Sequence, residues 1–180
     1  MRIISGRHKG LRFPSRNMPH ARPTTDRAKE ALFNILNQTY YFEDSKVLDL
    51  YSGLGSMALE FCSRGAEVTT VEFNRKSISY IIDFSKKIEA ELNIKQAKVL
   101  SYLGKESKKY DIIFADPPYN ATVEIQKLIE VISQGEFLKP GGVFILEHQS
   151  MNQIKHSAIF ETRDYGQSSF SFFNFVDNNE

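Results

Sequence analysis

The sequence predicts a doubly wound α/β fold. It should be a mostly parallel sheet of about seven strands with helices on both faces, a C-terminal antiparallel hairpin and a short N-terminal β-hairpin extension. Three observations predict it. From residue 46 onward, short β-rich apolar runs alternate with stretches of helical periodicity, the pattern of strands joined by crossover helices. The last two β-type runs are separated only by Gly166 and Gln167, too few residues for a parallel crossover. The length of 180 residues, with 41% apolar and 25% charged side chains, suits one domain, 1–180, with a core of its own.

Taken in order, Arg2-Ile3-Ile4-Ser5 and Leu11-Arg12-Phe13-Pro14 are separated by Gly6 and Gly10, which reads as a hairpin within an extension over residues 1–20. Residues 22–40 read as a linking loop and helix. Pro23 to Asp26 supply a turn and capping groups, and Ala28, Ala31, Leu32, Ile35 and Leu36 recur at helical spacing to about Tyr40. The core then occupies 46–176. Strands are predicted over 46–50, 67–72, 95–99, 110–115, 143–146, 158–165 and 168–176. Helices are predicted over 57–63, 74–92 and 122–133, with a short helical turn before residue 110. Lys139-Pro140-Gly141-Gly142 reads as a turn that breaks the chain before the strand at 143. Cys62 is expected in the core of its helix. Phe170, Phe172, Phe173 and Phe175 suit a strand buried on both faces.

Overall charge names no partner, since 23 Lys and Arg oppose 22 Asp and Glu. The distribution does. Residues 1–29 hold Arg2, Arg7, Lys9, Arg12, Arg16, Arg22, Arg27 and Lys29 against Asp26 alone, on an otherwise acidic body. Such a block is either a solvated tail or a polyanion contact, and the hairpin pattern favours a structured basic arm. Deleting residues 1–20 is expected to leave small-ligand binding by the rest of the chain nearly intact while removing the polyanion contact. One cysteine allows neither a disulfide framework nor a multi-cysteine zinc site, and His8, His20, His148 and His156 lack metal spacing, so no metal is expected. No apolar run approaches a membrane span and the first residues lack a signal-peptide core, so a reduced, cytoplasmic protein with no membrane partner is expected.

Three motifs carry chemistry. Asp49-Leu50-Tyr51-Ser52-Gly53-Leu54-Gly55 joins the first sheet strand to a helix, and glycines in such a turn let the backbone approach a ligand. Ala58 stands where a dinucleotide fingerprint has its third glycine, which disfavours a pyrophosphate. Glu72 ends the second strand, where a carboxylate either accepts two bonds from a ribose diol or meets the dipole of the next helix. Asp116-Pro117-Pro118-Tyr119 ends the strand at 110–115. It is either a strand-ending turn or a stiff platform offering acceptors to an amine and a ring to a base.

With these motifs on one chain, the sequence resembles the class I S-adenosyl-L-methionine-dependent methyltransferases that act on exocyclic amines. Arg2-Ile3-Ile4-Ser5-Gly6, Arg22-Pro23-Thr24-Thr25-Asp26-Arg27, Leu32-Phe33-Asn34 and Ser63-Arg64-Gly65-Ala66 extend the likeness over nearly the whole chain. They are similar to the bacterial 16S rRNA guanine-N2 methyltransferase family. The resemblance implies a Rossmann-like methyltransferase core and a cofactor pocket at Asp49, Gly53, Gly55 and Glu72. It implies a target pocket at Asp116, Pro117 and Tyr119, with RNA contacts from Arg2, Arg7, Lys9, Arg12, Arg22, Thr25 and Arg27. The implied substrate is a guanine of 16S rRNA in an assembling small ribosomal subunit. The sequence departs from the family at one point. An acid usually follows the third strand and binds the adenine amino group, whereas Lys98 stands near that position and cannot accept such a bond.

The expected chemistry follows from the amine. Its lone pair is delocalised into the base, so Asp116 and the Pro117 carbonyl would accept its two N–H bonds and localise the pair, while Tyr119 stacks on the ring. Two alternatives share the motifs: a DNA adenine-N6 methyltransferase, and a non-catalytic RNA-binding assembly protein on the same fold.

Overall fold

Runs that are apolar without alternation become central strands, because a parallel sheet covered on both faces has no solvent side. The computed structural model, which describes residues 1–14, 25–118 and 120–175, realises this in one seven-stranded sheet. Its strands are β1 (Lys46–Leu50), β2 (Glu67–Glu72), β3 (Asn93–Gln96), β4 (Tyr110–Ala115), β5 (Leu138–Gln149), β6 (Ile159–Tyr165) and β7 (Ser168–Phe173). They lie in the order β3-β2-β1-β4-β5-β7-β6. The first five are mutually parallel, and β7 pairs antiparallel with both β5 and β6. The predicted fold class therefore holds, with the closing hairpin at one edge.

Two helical layers cover the sheet. α1 (Asp26–Leu36) and α2 (Ser56–Ser63) bury Leu32, Phe33, Met57 and Phe61 with Val47, Phe114, Ile145 and Phe170 on one face. On the other, α4 (Val99–Leu103) and α5 (Thr122–Gln134) bury Leu103, Ile125 and Leu128 with Leu50, Ile113, Phe144 and Phe173. Phe170 and Phe173 thus serve opposite faces of β7, as their spacing predicts. Cys62 packs only at the edge of the first cluster, where its thiol donates to the Glu91 carbonyl.

Several boundaries differ from expectation for identifiable reasons. α3 (Arg75–Lys87) opens on Asn74, whose side chain accepts from the amides of Lys76 and Ser77. It stops short of residue 92 because Glu89 takes a left-handed φ of 56° and the Ala90 amide turns back to the Ser85 carbonyl. β3 consequently starts at Asn93. Lys139 to Gly142 do not precede β5 but lie inside it. Between Tyr110 and Ile112 the register of β4 jumps from Leu138 to Val143, so the proline and glycines form a bulge. A Cβ on Gly142 would lie 2.9 Å from the Lys139 carbonyl oxygen, which leaves room for glycine alone.

The N-terminal arm pairs with itself as expected. The Ile3 amide donates to the Leu11 carbonyl at 2.9 Å and the Gly10 amide to Ile3 at 2.8 Å, around one antiparallel bridge between Arg2 and Arg12. It also docks into the body, a packing that the sequence reading did not foresee. Ile3 and Phe13 are buried with Leu59, Tyr80 and Phe84 of α2 and α3. The Arg7 amide donates to the Ser63 carbonyl at 2.7 Å, and a Cβ on Gly6 would lie 1.9 Å from that same oxygen. The strongest anchor is Glu60, fully buried on α2. It accepts from the amides of Ile4 at 2.7 Å and Ser5 at 3.0 Å and from Arg64 Nη2 at 2.9 Å, with Lys29 Nζ at 3.4 Å. Lys29 is equally buried and donates to the Arg2 carbonyl at 2.5 Å. Burial lowers the Lys29 pKa, while Glu60 acts to raise it. Among the described residues no helix is long and apolar enough to cross a membrane.

Removing Glu60 would leave a buried ammonium without its counter-charge and two backbone amides without their acceptor. We predict that Glu60→Ala loses about 3–5 kcal/mol in urea unfolding, the usual cost of breaking a buried ion pair. Glu60→Gln, which keeps an acceptor oxygen, should lose less. A loss below about 1 kcal/mol, the range of surface ion pairs, would show that the arm is held by its apolar contacts alone.

Candidate functional site

Parallel strands release their following loops at one edge of the sheet. Leu50 of β1 is in register with both Val71 of β2 and Ala115 of β4, so these three strands end level. The Asp116 amide extends the ladder by donating to the Leu50 carbonyl at 3.2 Å. Asp49, Gly53, Glu72, Asp116 and Pro117 therefore meet around one cleft of about 1170 Å³.

The turn after β1 is unusually contorted. Tyr51, Gly53 and Gly55 all have left-handed φ, at 59°, 54° and 76°. Nothing lies within 4 Å of a Cβ placed on Gly53, which opens onto the cleft. Gly55 is buried and does not line it. Its role is to start α2 against Ile81, whose Cγ1 would lie 3.0 Å from an added Cβ. Tyr51 has no glycine-like freedom, yet its hydroxyl donates to Glu124 Oε1 of α5 at 2.7 Å and so fastens the turn to the opposite wall. Burial and that bond raise the Tyr51 pKa. Sequence reasoning missed this pair, because the partners are 73 positions apart and no spacing rule links them.

Asp49 is almost wholly buried, and its Oδ2 is the one buried side-chain oxygen or nitrogen among the described residues with no hydrogen-bond partner. Desolvation pushes its pKa up to about 7 against the opposing bonds from Ser52 and the Ala58 amide. An orphaned carboxylate oxygen at a cleft wall calls for a cationic or N–H donor from a ligand.

Glu72 is more committed than expected. Its Oε2 accepts from the Gly53 amide at 2.8 Å, and its Oε1 accepts from the amides of Phe73 and Asn74, both at 2.7 Å. A carboxylate has about four lone-pair sites, so about one is left for a ligand hydroxyl, where the sequence reading asked for two. Phe73 projects beside it, exposed, with Lys98 Nζ 5.5 Å from its ring centre, and both line the cleft. Lys98 thus stands where expected, as a donor.

Pro117 is buried and Pro118 exposed, and the Pro118 carbonyl accepts from the Ala121 amide at 3.0 Å on the way into α5. Asn120 also lines the cleft, a residue that no sequence motif marks. Tyr119 and Arg22 lie outside the described residues. Of the other basic candidates, Arg7, Lys9, Arg12 and Arg27 are exposed, and Arg2 approaches Asp26 at 3.8 Å. Thr25 caps α1, its Oγ1 accepting from the Ala28 amide at 3.2 Å.

The family model described as Conserved hypothetical protein 95 matches residues 1–174. Ribosomal RNA small subunit methyltransferase D of Buchnera aphidicola subsp. Baizongia pistaciae (strain Bp) is 33% identical over 156 residues, spanning 83% of this chain and 76% of that protein. Among solved structures, a hypothetical protein of Thermus thermophilus superposes with a TM-score of 0.84 at 22% identity, over 96% of this chain and 98% of that one. The 16S rRNA N2 G1207 methyltransferase of T. thermophilus, solved with AdoMet and guanosine, gives a TM-score of 0.69 at 24% identity, over 83% of this chain and 43% of that one.

The raised pKa of Asp49 makes a prediction about stability. Between the ordinary value of 3.8 and about 7, the folded state holds a proton that the unfolded state has released, so this group lowers stability as pH rises through that window. Asp49→Asn should remove that component. The melting temperature of the ligand-free variant should gain on the wild type between pH 5 and pH 8. A constant difference across that range would mean that Asp49 does not titrate there.

Proposed function

We propose, from the premise that this chain belongs to the Conserved hypothetical protein 95 family, that it methylates the exocyclic N2 amine of a guanine in 16S rRNA, using S-adenosyl-L-methionine, in the cytoplasm during small-subunit maturation. The observation that carries the reading is the meeting, in one cleft, of the unpartnered Asp49 oxygen on the glycine-turn side and the Asp116-Pro117-Pro118 segment opposite. The name of the Buchnera relative supports an rRNA substrate. Support from the AdoMet- and guanosine-bound Thermus enzyme is at the level of fold analogy.

The residues present fit the cofactor. Asp49 offers a buried acceptor for its α-ammonium group, Glu72 a remaining lone-pair site for a ribose hydroxyl, and Phe73 with Ala97 an apolar wall for a flat base. When bound, it supplies an electrophilic methyl group on a sulfonium. The rest of the work falls to the protein. The Asp116 carboxylate and the Pro117 carbonyl accept the two N–H bonds of the guanine amine, so that its lone pair projects out of the base plane toward the cofactor side of the cleft. Tyr119 stacks on the base and holds that plane. Asp116, which accepts one of those N–H bonds, then takes the proton that the methylated nitrogen releases. Positioning and preorganised acceptors supply the rate. The exposed Arg7, Lys9 and Arg12, with Arg2, Arg22, Thr25 and Arg27, hold the RNA backbone.

Two experiments follow. In single-turnover assays with saturating cofactor, Asp116→Ala should slow methyl transfer by roughly 10²–10³-fold with little change in RNA or cofactor affinity. Tyr119→Ala should weaken capture of the base by about 1–3 kcal/mol, and Tyr119→Phe should recover most of it. Near-normal chemistry in Asp116→Ala would sink the mechanism. Separately, changing Arg7, Lys9 and Arg12 together to Gln should flatten the log–log salt dependence of RNA binding by roughly two to three units while cofactor binding is kept. An unchanged slope would remove the arm from the RNA contact.

A further inference from the structure

A second groove, of about 620 Å³, runs along the flank of α5 opposite the segment that follows β5. Thr122, the first residue of α5, lines both this groove and the cleft holding Asp116, so the two adjoin. The floor is apolar, from Ile125, Ile129 and Ile154. The rim is made of carboxamides, Gln126 on the helix with Asn152 and Gln153 on the loop, and of the exposed cation Lys155. His156 is held in place by ring contacts of 5.8 Å with Phe173 and Phe175. Two of the most exposed large apolar side chains in the described structure adjoin the groove in sequence, Val123 at 80% and Met151 at 92%.

We propose that this groove seats a second nucleotide of the substrate strand, the neighbour of the methylated guanine. The inference rests on the reading of the main cleft as an RNA methylation site, and extends it to the substrate's single-stranded character. A base removed from its stack leaves its neighbours unstacked as well, and an adjoining apolar slot restores part of what is lost. The groove has the right chemistry for one. The isoleucine floor takes the face of a base or ribose, and carboxamides both donate and accept, so they meet any base edge. Lys155 supplies the charge for the intervening phosphate. At 1.5 Å per residue, Ile125 and Ile129 lie roughly 4.5 and 10 Å along the helix from Thr122, within reach of an adjacent nucleotide. Glu130, exposed and next to Ile129, puts a negative charge at the far end of the slot, which limits the site to a single nucleotide.

The test uses the full chain and a fluorescent single-stranded pentaribonucleotide with a central guanine, titrated by anisotropy at several salt concentrations. Gln126→Glu, an exposed rim position where a carboxylate repels a polyanionic strand, should weaken binding severalfold. Lys155→Gln, on an exposed position that does not threaten folding, should weaken it and reduce the log–log salt slope by about 0.7. If the wild type does not bind the pentamer, or if both variants bind it with wild-type affinity and slope, the groove is not a nucleotide site. Methyl transfer to small-subunit particles by the wild type is scored in parallel. Loss of pentamer binding in the variants while particles stay unmethylated would uphold the groove and overturn the functional reading instead.

Discussion

The cleft exists because β1, β2 and β4 run parallel and stop at the same level, with Leu50 opposite Val71 on one side and Ala115 on the other. That ladder brings three acids far apart in sequence, Asp49, Glu72 and Asp116, to one edge. A shift of one residue in either pairing would turn the side chains of one strand to the other face of the sheet and dissolve the group. The buried runs Val47–Leu50 and Ile112–Ala115 hold the register, since each must keep its alternate residues in two different helical layers. Fold and site are thus set by the same hydrophobic constraint.

Within that frame the site carries local strain and unmet polarity, and the arm supplies stability beside it. The turn holds Tyr51 in a left-handed conformation and leaves Asp49 Oδ2 without a donor. Farther along α2, Glu60 gathers two arm amides, Arg64 and Lys29 into a satisfied buried network. Lys29 in turn lies 3.4 Å from the Ser56 hydroxyl, at the start of α2 and on the cleft wall. The basic arm and the glycine turn therefore share one helix. The arm is thus mechanically continuous with the wall of the cleft.

Much of this was legible in the sequence because it follows from local rules. Apolar runs and breakers placed the strands, and the residue types at Asp49–Gly55, Glu72 and Asp116–Pro118 marked the cleft. What escaped depends on contacts between distant residues. The bond from Tyr51 to Glu124 has no signature in spacing. Nor does the docking of Ile3 and Phe13 against α2 and α3, which the sequence reading did not foresee. Glu72 was found, but its commitment to three backbone amides arises only when the turn folds back upon it. Lys139 to Gly142 carried the right turn chemistry, yet the ladder continues around them as a bulge.

The proposed function turns on whether the amine aligned by Asp116 and Pro117 belongs to a guanine of 16S rRNA. The most direct measurement is to incubate the purified protein and isotopically labelled S-adenosyl-L-methionine with small-subunit particles, and in parallel with plasmid DNA. Each nucleic acid is then digested and the labelled nucleoside identified by mass spectrometry. N2-methylguanosine from the particles and no label in the DNA is the expected result. Labelled N6-methyladenosine from the DNA, or no label in either, would contradict it.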